Sequence, residues 1–212
     1  MLNYTIPEVV SLPSLTPPLH SIKKRAGYPS STTPLTPAVQ VAFDEMLEKA
    51  MMLIEPCAIF VAFNIKNRTP QKTTLEHSNF VIDSAQVTKL LRNSEAVLLF
   101  MATIGLKLEE EVRSLFSQDE SVKGFLLDAM GSELADEVAN ELHHNIIPSR
   151  IKDLNYVITP RFSPGYGDWP VTVQSEFLEV CHGHEIGISV TESSLLIPQK
   201  SVSAVFGLET KK

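Results

Sequence analysis

The amino-acid sequence predicts a globular protein that combines α-helices with β-strands. Of its 212 residues, 43% are hydrophobic, which is enough for a substantial packed core. Short apolar runs rich in β-branched and aromatic residues indicate strands, and longer stretches with apolar residues at helical spacing indicate helices. At about 150 residues per domain, the length allows one large domain or two small ones.

The N-terminal segment is rich in proline. Seven of the 14 prolines fall within the first 37 residues, and long regular elements are excluded there because proline fixes φ and removes a backbone donor. We expect a short strand over 5–10, a short helix over 19–26 and a Ser/Thr/Pro loop over 30–36. Residues 1–36 are therefore predicted to pack as a segment on a domain that comprises residues 37–212.

The middle of the chain is predicted to alternate between helix and strand. Thr36 and Pro37 supply an N-cap and a first-turn proline, so a helix should begin at 37 and extend to about 54. The apolar run before Thr103 is nearly continuous, which predicts a strand covered on both faces. This strand is predicted over 95–103. The other elements predicted here are strands over 57–65 and 79–83 and helices over 84–91 and 105–116.

One long helix is predicted over 120–147, with Pro148 ending it. Acidic residues line its flank at positions 133, 136, 137 and 141. Its apolar face is expected to point inward and consists of Val122, Phe125, Leu126, Ala129, Leu134, Val138 and Leu142. The last third is predicted to contain a strand over 155–159, a loop over 161–168, a helix over 171–180 and two strands around Pro198, one of them including 201–207.

Charge and composition disfavour several classes of partner. Eighteen Lys and Arg against 25 Asp and Glu give a formal net charge of −7, so no basic surface for nucleic acid or anionic membrane is evident. The longest apolar runs fall short of the roughly 20 residues of a membrane helix. The N-terminus does not resemble a secretory signal, so we expect a cytoplasmic protein in which Cys57 and Cys181 are reduced thiols.

The strongest local signal is the stretch Arg161-Phe-Ser-Pro-Gly-Tyr-Gly-Asp-Trp-Pro170. Its glycines permit positive φ and close approach of a ligand to the main chain, and its prolines limit the entropy lost on ordering. The same pattern is compatible with a tight connection from a strand to a helix. Taken alone, the stretch leaves both a ligand site and a purely structural loop open.

Several motifs taken together resemble the reactivation domain of cobalamin-dependent methionine synthase. That family carries an Arg-x-x-Pro-Gly-Tyr loop, a Thr-Glu-Ser strand and a Pro-x-x-Ser-Val-Ser segment, matched in this order by 161–166, 191–193 and 198–203. Thr103-Ile-Gly105 and Asp128-Ala-Met-Gly-Ser132 extend the resemblance, over most of the chain, to free-standing relatives of that domain. Each motif is weak alone, but the ordered set is specific.

The resemblance implies a helmet-shaped α+β domain with a twisted antiparallel sheet and long flanking helices. Domains of this family bind S-adenosylmethionine and cap a corrinoid protein, whose inactive cob(II)alamin is reduced by a flavodoxin-like or iron–sulfur donor and then methylated. The implied partner is a separate corrinoid-binding protein, or a methionine synthase lacking its own activation domain. The activation-like region occupies the whole chain, and an Asp-x-His-x-x-Gly corrinoid motif is absent from it.

The resemblance also assigns ligand-binding residues. Arg161 corresponds to the arginine that holds the S-adenosylmethionine carboxylate, a role suited to a planar guanidinium. Pro164, Gly165 and Tyr166 correspond to the turn whose backbone lies along the ligand. No residue is assigned as a catalytic acid or base, because the cofactors perform the chemistry.

The family's ligand-contacting acid corresponds to Asp136, with Glu137 and Glu133 as alternative registers. Other interpretations stay open at this level. Arg161 is also compatible with an ordinary surface ion pair, Tyr166 with a half-buried ring, and the acidic flank with a solvated helix face.

Two departures from the family pattern favour an alternative function. Asn155 stands where the family has an acid six positions before the loop arginine, and Phe206 replaces a tyrosine. The alternative is a non-catalytic module that docks on a corrinoid protein without binding S-adenosylmethionine.

The histidine-containing stretch 181–184 offers metal ligands but is not predicted to bind a metal. Cys181, His182 and His184, with His143 and His144 elsewhere, are residue types that bind zinc. No second cluster at a standard spacing completes the set, and the resemblance places a helix end and a turn there.

Overall fold

The computed structural model describes residues 6–28 and 35–211, and in this part of the chain an antiparallel sheet carries helices on both faces. The strands are β1 (Glu8–Ser11), β2 (Cys57–Arg68), β3 (Lys72–Leu75), β4 (Val81–Asp83), β5 (Ala96–Thr103), β6 (Tyr156–Ile158), β7 (Ser189–Val190), β8 (Leu196–Ile197) and β9 (Ser201–Thr210). The α-helices are α1 (Leu19–Arg25), α2 (Pro37–Leu53), α3 (Ala85–Leu90), α4 (Lys107–Ser117), α5 (Ser121–Glu141), α6 (Ile147–Arg150) and α7 (Gln174–Cys181).

Seven strands form the main sheet in the order β4-β3-β2-β5-β9-β6, with β1 paired to the first half of β2. Every pairing in it is antiparallel. β7 and β8 form a separate two-stranded ribbon. The predicted α+β class with an antiparallel sheet is confirmed.

The central strand β5 is buried along its whole length because both of its faces are covered, as predicted. Its residues alternate between two cores, since successive side chains in a strand point to opposite faces. Leu98 and Phe100 pack in the first core, which α1, α2, α4 and α5 cover. Leu99 and Met101 pack in the second core, with Trp169 and Phe177.

The long helix differs from the prediction at both ends. A five-residue π-helical segment, Leu142–Ile146, follows α5, and α6 then continues past Pro148 to Arg150. The change of register places Pro148 in the first turn of α6, where a missing N–H is tolerated, so the prediction that Pro148 ends the helix is wrong. Val122 and Phe125, predicted to face inward, are 60% and 52% exposed, because Gly124, Leu126 and Leu127 form the buried face at this end of α5.

The N-terminal segment contributes side chains to the first core. Leu12, Leu15, Ile22 and Ala26 are all buried there. Of the predicted strand over 5–10 and the predicted loop over 30–36, residues 5 and 30–34 lie outside the described residues. Thr36 caps α2 as predicted, with its Oγ1 accepting from the N–H of Val39 at 3.4 Å.

Strand β3 was not predicted, and neither was the extension of β2 beyond residue 65. β3 has only four residues and no apolar alternation that sequence analysis could detect. Its Thr73 is nevertheless fully buried, and the Thr73 and Thr88 hydroxyls hydrogen bond at 3.0 Å. Within the described residues, no helix has the length and apolar character needed to cross a membrane.

Candidate functional site

The Arg161–Pro170 stretch is an irregular loop that connects β6 to the 3-10 turn before α7. The N–H of Gly165 donates to the carbonyl of Trp169 at 2.8 Å, and the N–H of Trp169 donates to Tyr166 at 3.1 Å. Gly165 has a φ of +92° and Gly167 a φ of +56°, so both glycines occupy the backbone region that glycine favours. The loop is thus closed by its own hydrogen bonds.

Asp168 and Trp169 fix this loop to the body of the protein. Asp168 accepts from the Ser84 hydroxyl at 2.5 Å and from the N–H of Ala85 at 2.7 Å, at the N-terminus of α3. These bonds lower the pKa of Asp168, and the bond from Ser84 has the largest effect. Trp169 is buried in the second core, with its ring centroid 6.0 Å from that of Phe177.

Arg161 leaves the start of the loop and points to the flank of α5. Phe162 bridges to Val205 of β9, which holds the backbone beside the sheet. Nη2 of Arg161 lies 3.3 Å from Oδ1 of Asp136. Nη1 is buried and has no hydrogen-bond partner among residues 6–28 and 35–211. One shielded nitrogen of a side chain that is 28% exposed therefore lacks an acceptor in the described part of the chain.

Two adjoining cavities lie between the loop, α5 and the end of the sheet, and we call them together the loop cleft. The first is about 270 Å³ and is lined by Asp136, Arg161, Phe162, Ser163, Tyr166 and Val202. The second is about 200 Å³ and is lined by Asp136, Ser163, Pro164, Tyr166, Gln174, Leu196, Ser201, Val202 and Ser203. Four residues line both cavities: Asp136, Ser163, Tyr166 and Val202.

The inner wall of the loop cleft is polar. Gln174 is buried at the start of α7, and its Oε1 accepts from the hydroxyl of Ser203 at 2.9 Å. The outer rim carries Tyr166, which is 70% exposed. The cleft therefore combines a charged pair, a neutral polar wall and an open aromatic ring.

The structure brings four of the five predicted binding residues into the loop cleft. Arg161, Pro164, Tyr166 and Asp136 line it, whereas Gly165 is exposed and lines neither cavity. A Cβ at Gly165 would lie 3.8 Å from Val171, which is an ordinary contact. Positive φ, rather than crowding by neighbours, accounts for glycine at this position.

The geometry also separates the alternatives for these residues. Asp136 is the acid beside Arg161, whereas Glu133 pairs with Arg25 and Glu137 accepts from the side chain of Asn140. Arg161 does form an ion pair, but with the acid that shares its cleft. The half-buried ring considered for Tyr166 is wrong, since most of that ring is in solvent.

Phe206 and Asn155 lie outside the loop cleft. Phe206 is fully buried in the first core, where its ring centroid is 5.0 Å from that of His143. Burial lowers the pKa of His143, whose Nε2 lies 2.8 Å from the carbonyl of Thr159. Asn155 is exposed in the turn before β6, with a φ of +56°.

Three of the sequence motifs meet beside the cleft. Nζ of Lys200 lies 2.7 Å from Oδ1 of Asp128 and donates to the Ser132 hydroxyl at 2.8 Å. The hydroxyls of Ser201 and Thr103 hydrogen bond at 2.9 Å. These motifs therefore tie the start of β9 to α5 and to the end of β5, a role that sequence analysis did not predict.

A search of solved structures finds a crystal structure of the MetH reactivation domain bound to AdoHcy. The two chains match with a TM-score of 0.68 and 15% sequence identity, over 97% of this chain and 79% of the other. At this level of identity the similarity establishes a shared fold. No known protein family and no curated protein matches the sequence.

Proposed function

We propose that the loop cleft binds S-adenosylmethionine, and that the chain is an accessory factor for a separate corrinoid protein. In this role it would support the reductive methylation of cob(II)alamin in methionine synthesis or a related methyl-transfer pathway. The observation that carries the proposal concerns Arg161, whose Nη2 contacts Asp136 and whose buried Nη1 has no partner among the residues that the structure describes. The shared fold with a domain crystallised with AdoHcy supports it.

The charges of the cleft complement this ligand. S-adenosylmethionine carries a carboxylate, an ammonium group and a sulfonium group. A small rotation of the Arg161 guanidinium would turn the shielded Nη1 toward the carboxylate and satisfy the donor left without a partner. Asp136 supplies a negative charge for the cationic groups, and the side chain of Arg161 already holds it in place.

The size and lining of the cleft also fit a ligand of this kind. Each cavity alone is smaller than a typical small-molecule site of about 300–1000 Å³, but the adjoining cavities of about 270 and 200 Å³ together reach the lower part of that range. The exposed ring of Tyr166 offers a flat apolar face against which adenine can stack. Gln174 and Ser203 offer polar atoms at the inner wall.

The chain's contribution to the reaction would be binding and orientation. When bound, S-adenosylmethionine supplies the methyl group, and a separate flavodoxin-like or iron–sulfur protein supplies the electron. Arg161 and Asp136 would fix the aminoacyl end of the ligand, while Asp168 and Trp169 keep the loop rigid. Preorganisation of this kind reduces the entropy lost when reacting groups are aligned.

Calorimetric titration with S-adenosylmethionine tests the proposal. We expect weak one-to-one binding by the wild type, no measurable binding by Arg161→Ala and weaker binding by Asp136→Asn. Arg113→Ala is the matched control, because Arg113 is an exposed arginine of α4 outside the cleft. The absence of both heat and a thermal shift at millimolar ligand would contradict S-adenosylmethionine binding.

The corrinoid partner is tested separately. A reactivation factor must discriminate between the states that it interconverts, so the chain should bind a holo-corrinoid protein more tightly with cob(II)alamin than with methylcobalamin. Surface plasmon resonance with both cofactor states measures the difference. Equal affinities would remove the thermodynamic basis for selective reactivation.

A docking module that does not bind S-adenosylmethionine is the second candidate. The N–H groups of Gly165 and Tyr166 already donate within the loop, at 2.8 and 3.4 Å. They are therefore not free to bind a ligand, which favours this second candidate. Apolar side chains C-terminal to the loop are also exposed and could contact a partner protein: Val171, Leu195 and Ile197. Binding to a corrinoid protein without any response to S-adenosylmethionine would support this candidate.

A further inference from the structure

We propose that His182, His184 and Glu185 form a surface site for a single Zn²⁺ ion or a chemically similar divalent transition metal. One ligand atom from each of these side chains lies within 4.8 Å of the other two. The site is at the C-terminal end of α7, whereas the loop cleft is at its N-terminal end. It is therefore independent of the proposed S-adenosylmethionine site.

The fold presents these side chains from a fixed turn. His182 ends α7 with a φ of +57°, and residues Gly183–Ile186 then form a 3-10 turn. A Cβ at Gly183 would lie 2.5 Å from Sδ of Met101 and 2.6 Å from Cδ1 of Leu178, so only glycine lets this turn pack on the second core. Because the backbone is anchored, little of its conformational freedom remains to be lost on metal binding.

The three ligand atoms lie close together, and rotation of exposed side chains would bring them to the arrangement that zinc requires. Nδ1 of His182 lies 3.2 Å from Oε1 of Glu185. The rings of His182 and His184 are nearly parallel, with centroids 5.7 Å apart, so one ring must turn before both direct a nitrogen at the same ion. Donors bound tetrahedrally to Zn²⁺ at about 2.0–2.1 Å lie about 3.3 Å from one another. All three side chains are exposed, so small rotations can bring them around one ion.

The ligand set also indicates the class of metal. Two imidazoles and one carboxylate are typical of zinc and of similar transition metals, and this set leaves a fourth position for water or a further ligand. Cys181, considered as a ligand from the sequence, is fully buried in the second core and does not contribute. Glu185 is the ligand that the sequence analysis did not include.

The local electrostatics favour a cation. The site adjoins the negative end of the α7 dipole. His182 and Glu185 already form a hydrogen-bonded pair, which a metal ion would replace by bridging the two side chains. The opposite end of the helix carries Gln174, so a rise of about 1.5 Å per residue separates the two sites by about 12 Å.

Calorimetry and thermal unfolding with Zn²⁺ as the titrant test this site. We expect one Zn²⁺ per chain and a rise in unfolding temperature, with His184→Ala and Glu185→Gln each weakening binding by about tenfold or more, since even loss of an outer-shell partner costs about 10–100-fold. His20→Ala is the matched control, because His20 is an exposed histidine of α1. Co²⁺ provides a second readout, since its visible spectrum reports coordination by nitrogen and oxygen.

The two variants distinguish zinc binding at this site from zinc binding by other side chains of the protein. Because the three side chains are exposed, the metal-free variants should unfold at the same temperature as the wild type. Zn²⁺ binding that survives both His184→Ala and Glu185→Gln, or no one-to-one binding at submillimolar Zn²⁺, would overturn the proposal. S-adenosylmethionine binding should be unchanged in either variant.

Discussion

Asp168 is the residue that connects the loop of the cleft to the N-terminus of α3. Its carboxylate accepts from the Ser84 hydroxyl and from the first N–H groups of α3, including Ala85 at 2.7 Å. The Ser84 hydroxyl in turn accepts from the N–H of Val87 at 3.1 Å. One aspartate thus caps a helix that is far from it in sequence, and the geometry of the loop depends on that contact.

The lowered pKa of Asp168 predicts a pH-dependent effect of its substitution. Because the pKa is lower in the folded than in the unfolded chain, the charged carboxylate stabilises the fold above the ordinary aspartate value of about 3.9. This stabilisation is lost as the pH falls through the folded-state pKa. Asp168→Asn should therefore unfold at a lower temperature than the wild type at pH 7, and the difference should shrink in acid.

Thermal unfolding followed by circular dichroism at several pH values measures this effect. Asp153→Asn is the control, because Asp153 is exposed and lies outside the cap of α3. A difference between Asp168→Asn and the wild type that stays constant from neutral pH to pH 3 would show that the carboxylate charge does not stabilise the loop.

At the scale of elements, α5 is central because it packs against the sheet and against α1, α2 and α4. Two glycines of α5, Gly124 and Gly131, differ in how much space a side chain would have. A Cβ at Gly131 would lie 2.5 Å from Cδ2 of the buried Leu108, whereas a Cβ at Gly124 would lie 3.1 Å from the ring of Phe116. Phe116 is half exposed and can move aside.

These contacts predict opposite outcomes for the same substitution on one helix. Gly131→Ala should destabilise the protein by about 1–3 kcal/mol, because overpacking against Leu108 exceeds the gain in helix propensity. Gly124→Ala should change stability by less than about 1 kcal/mol, since the gain in propensity offsets a small shift of Phe116. Urea unfolding of the two variants gives both values, and equal effects would contradict this account of α5.

At the scale of the whole molecule, the two cores lie on opposite faces of one sheet. The N-terminal segment belongs to the first core through Ile22, which is fully buried. Trp169 is the chain's only tryptophan and lies in the second core. Its fluorescence therefore reports on a different face of the sheet from the one that the N-terminal segment covers.

A substitution in the N-terminal segment tests whether the two cores unfold together. Ile22→Ala should cost about 2–5 kcal/mol, as expected for a buried aliphatic side chain. Val41→Ala, at an exposed position of α2, should change stability by no more than about 0.5 kcal/mol. Unfolding of Ile22→Ala should give coincident transitions by Trp169 fluorescence and by circular dichroism. Separate transitions would show that the segment and the second core are independent units.

The strong periodic elements could be predicted from the sequence because their signals are local. The buried strand β5 and the capped helix α2 appear where the residue pattern places them. The π-helical segment and the continuation past Pro148 were missed, since they depend on how α5 packs at its end. Strand β3 was missed because it forms by backbone pairing with β2.

The candidate site could be predicted only in part. Residue types and the family resemblance indicated Arg161 and its loop, and the resemblance alone indicated Asp136. The pairing of Gln174 with Ser203 joins residues that are 29 positions apart, and no local pattern marks it. Likewise, the capping of α3 by Asp168 joins Ser84 to a residue 84 positions away.

A crystal structure of the chain grown with S-adenosylhomocysteine, which lacks the reactive methyl group, tests most directly whether the loop cleft binds this class of ligand. The ligand should occupy the loop cleft, with its carboxylate accepting from Nη1 of Arg161 at about 2.7–2.9 Å. The ring of Tyr166 should lie against the ligand, and the Asp168 contacts should be unchanged. A ligand bound elsewhere, or a cleft that stays empty at saturating concentration, would contradict the proposed function.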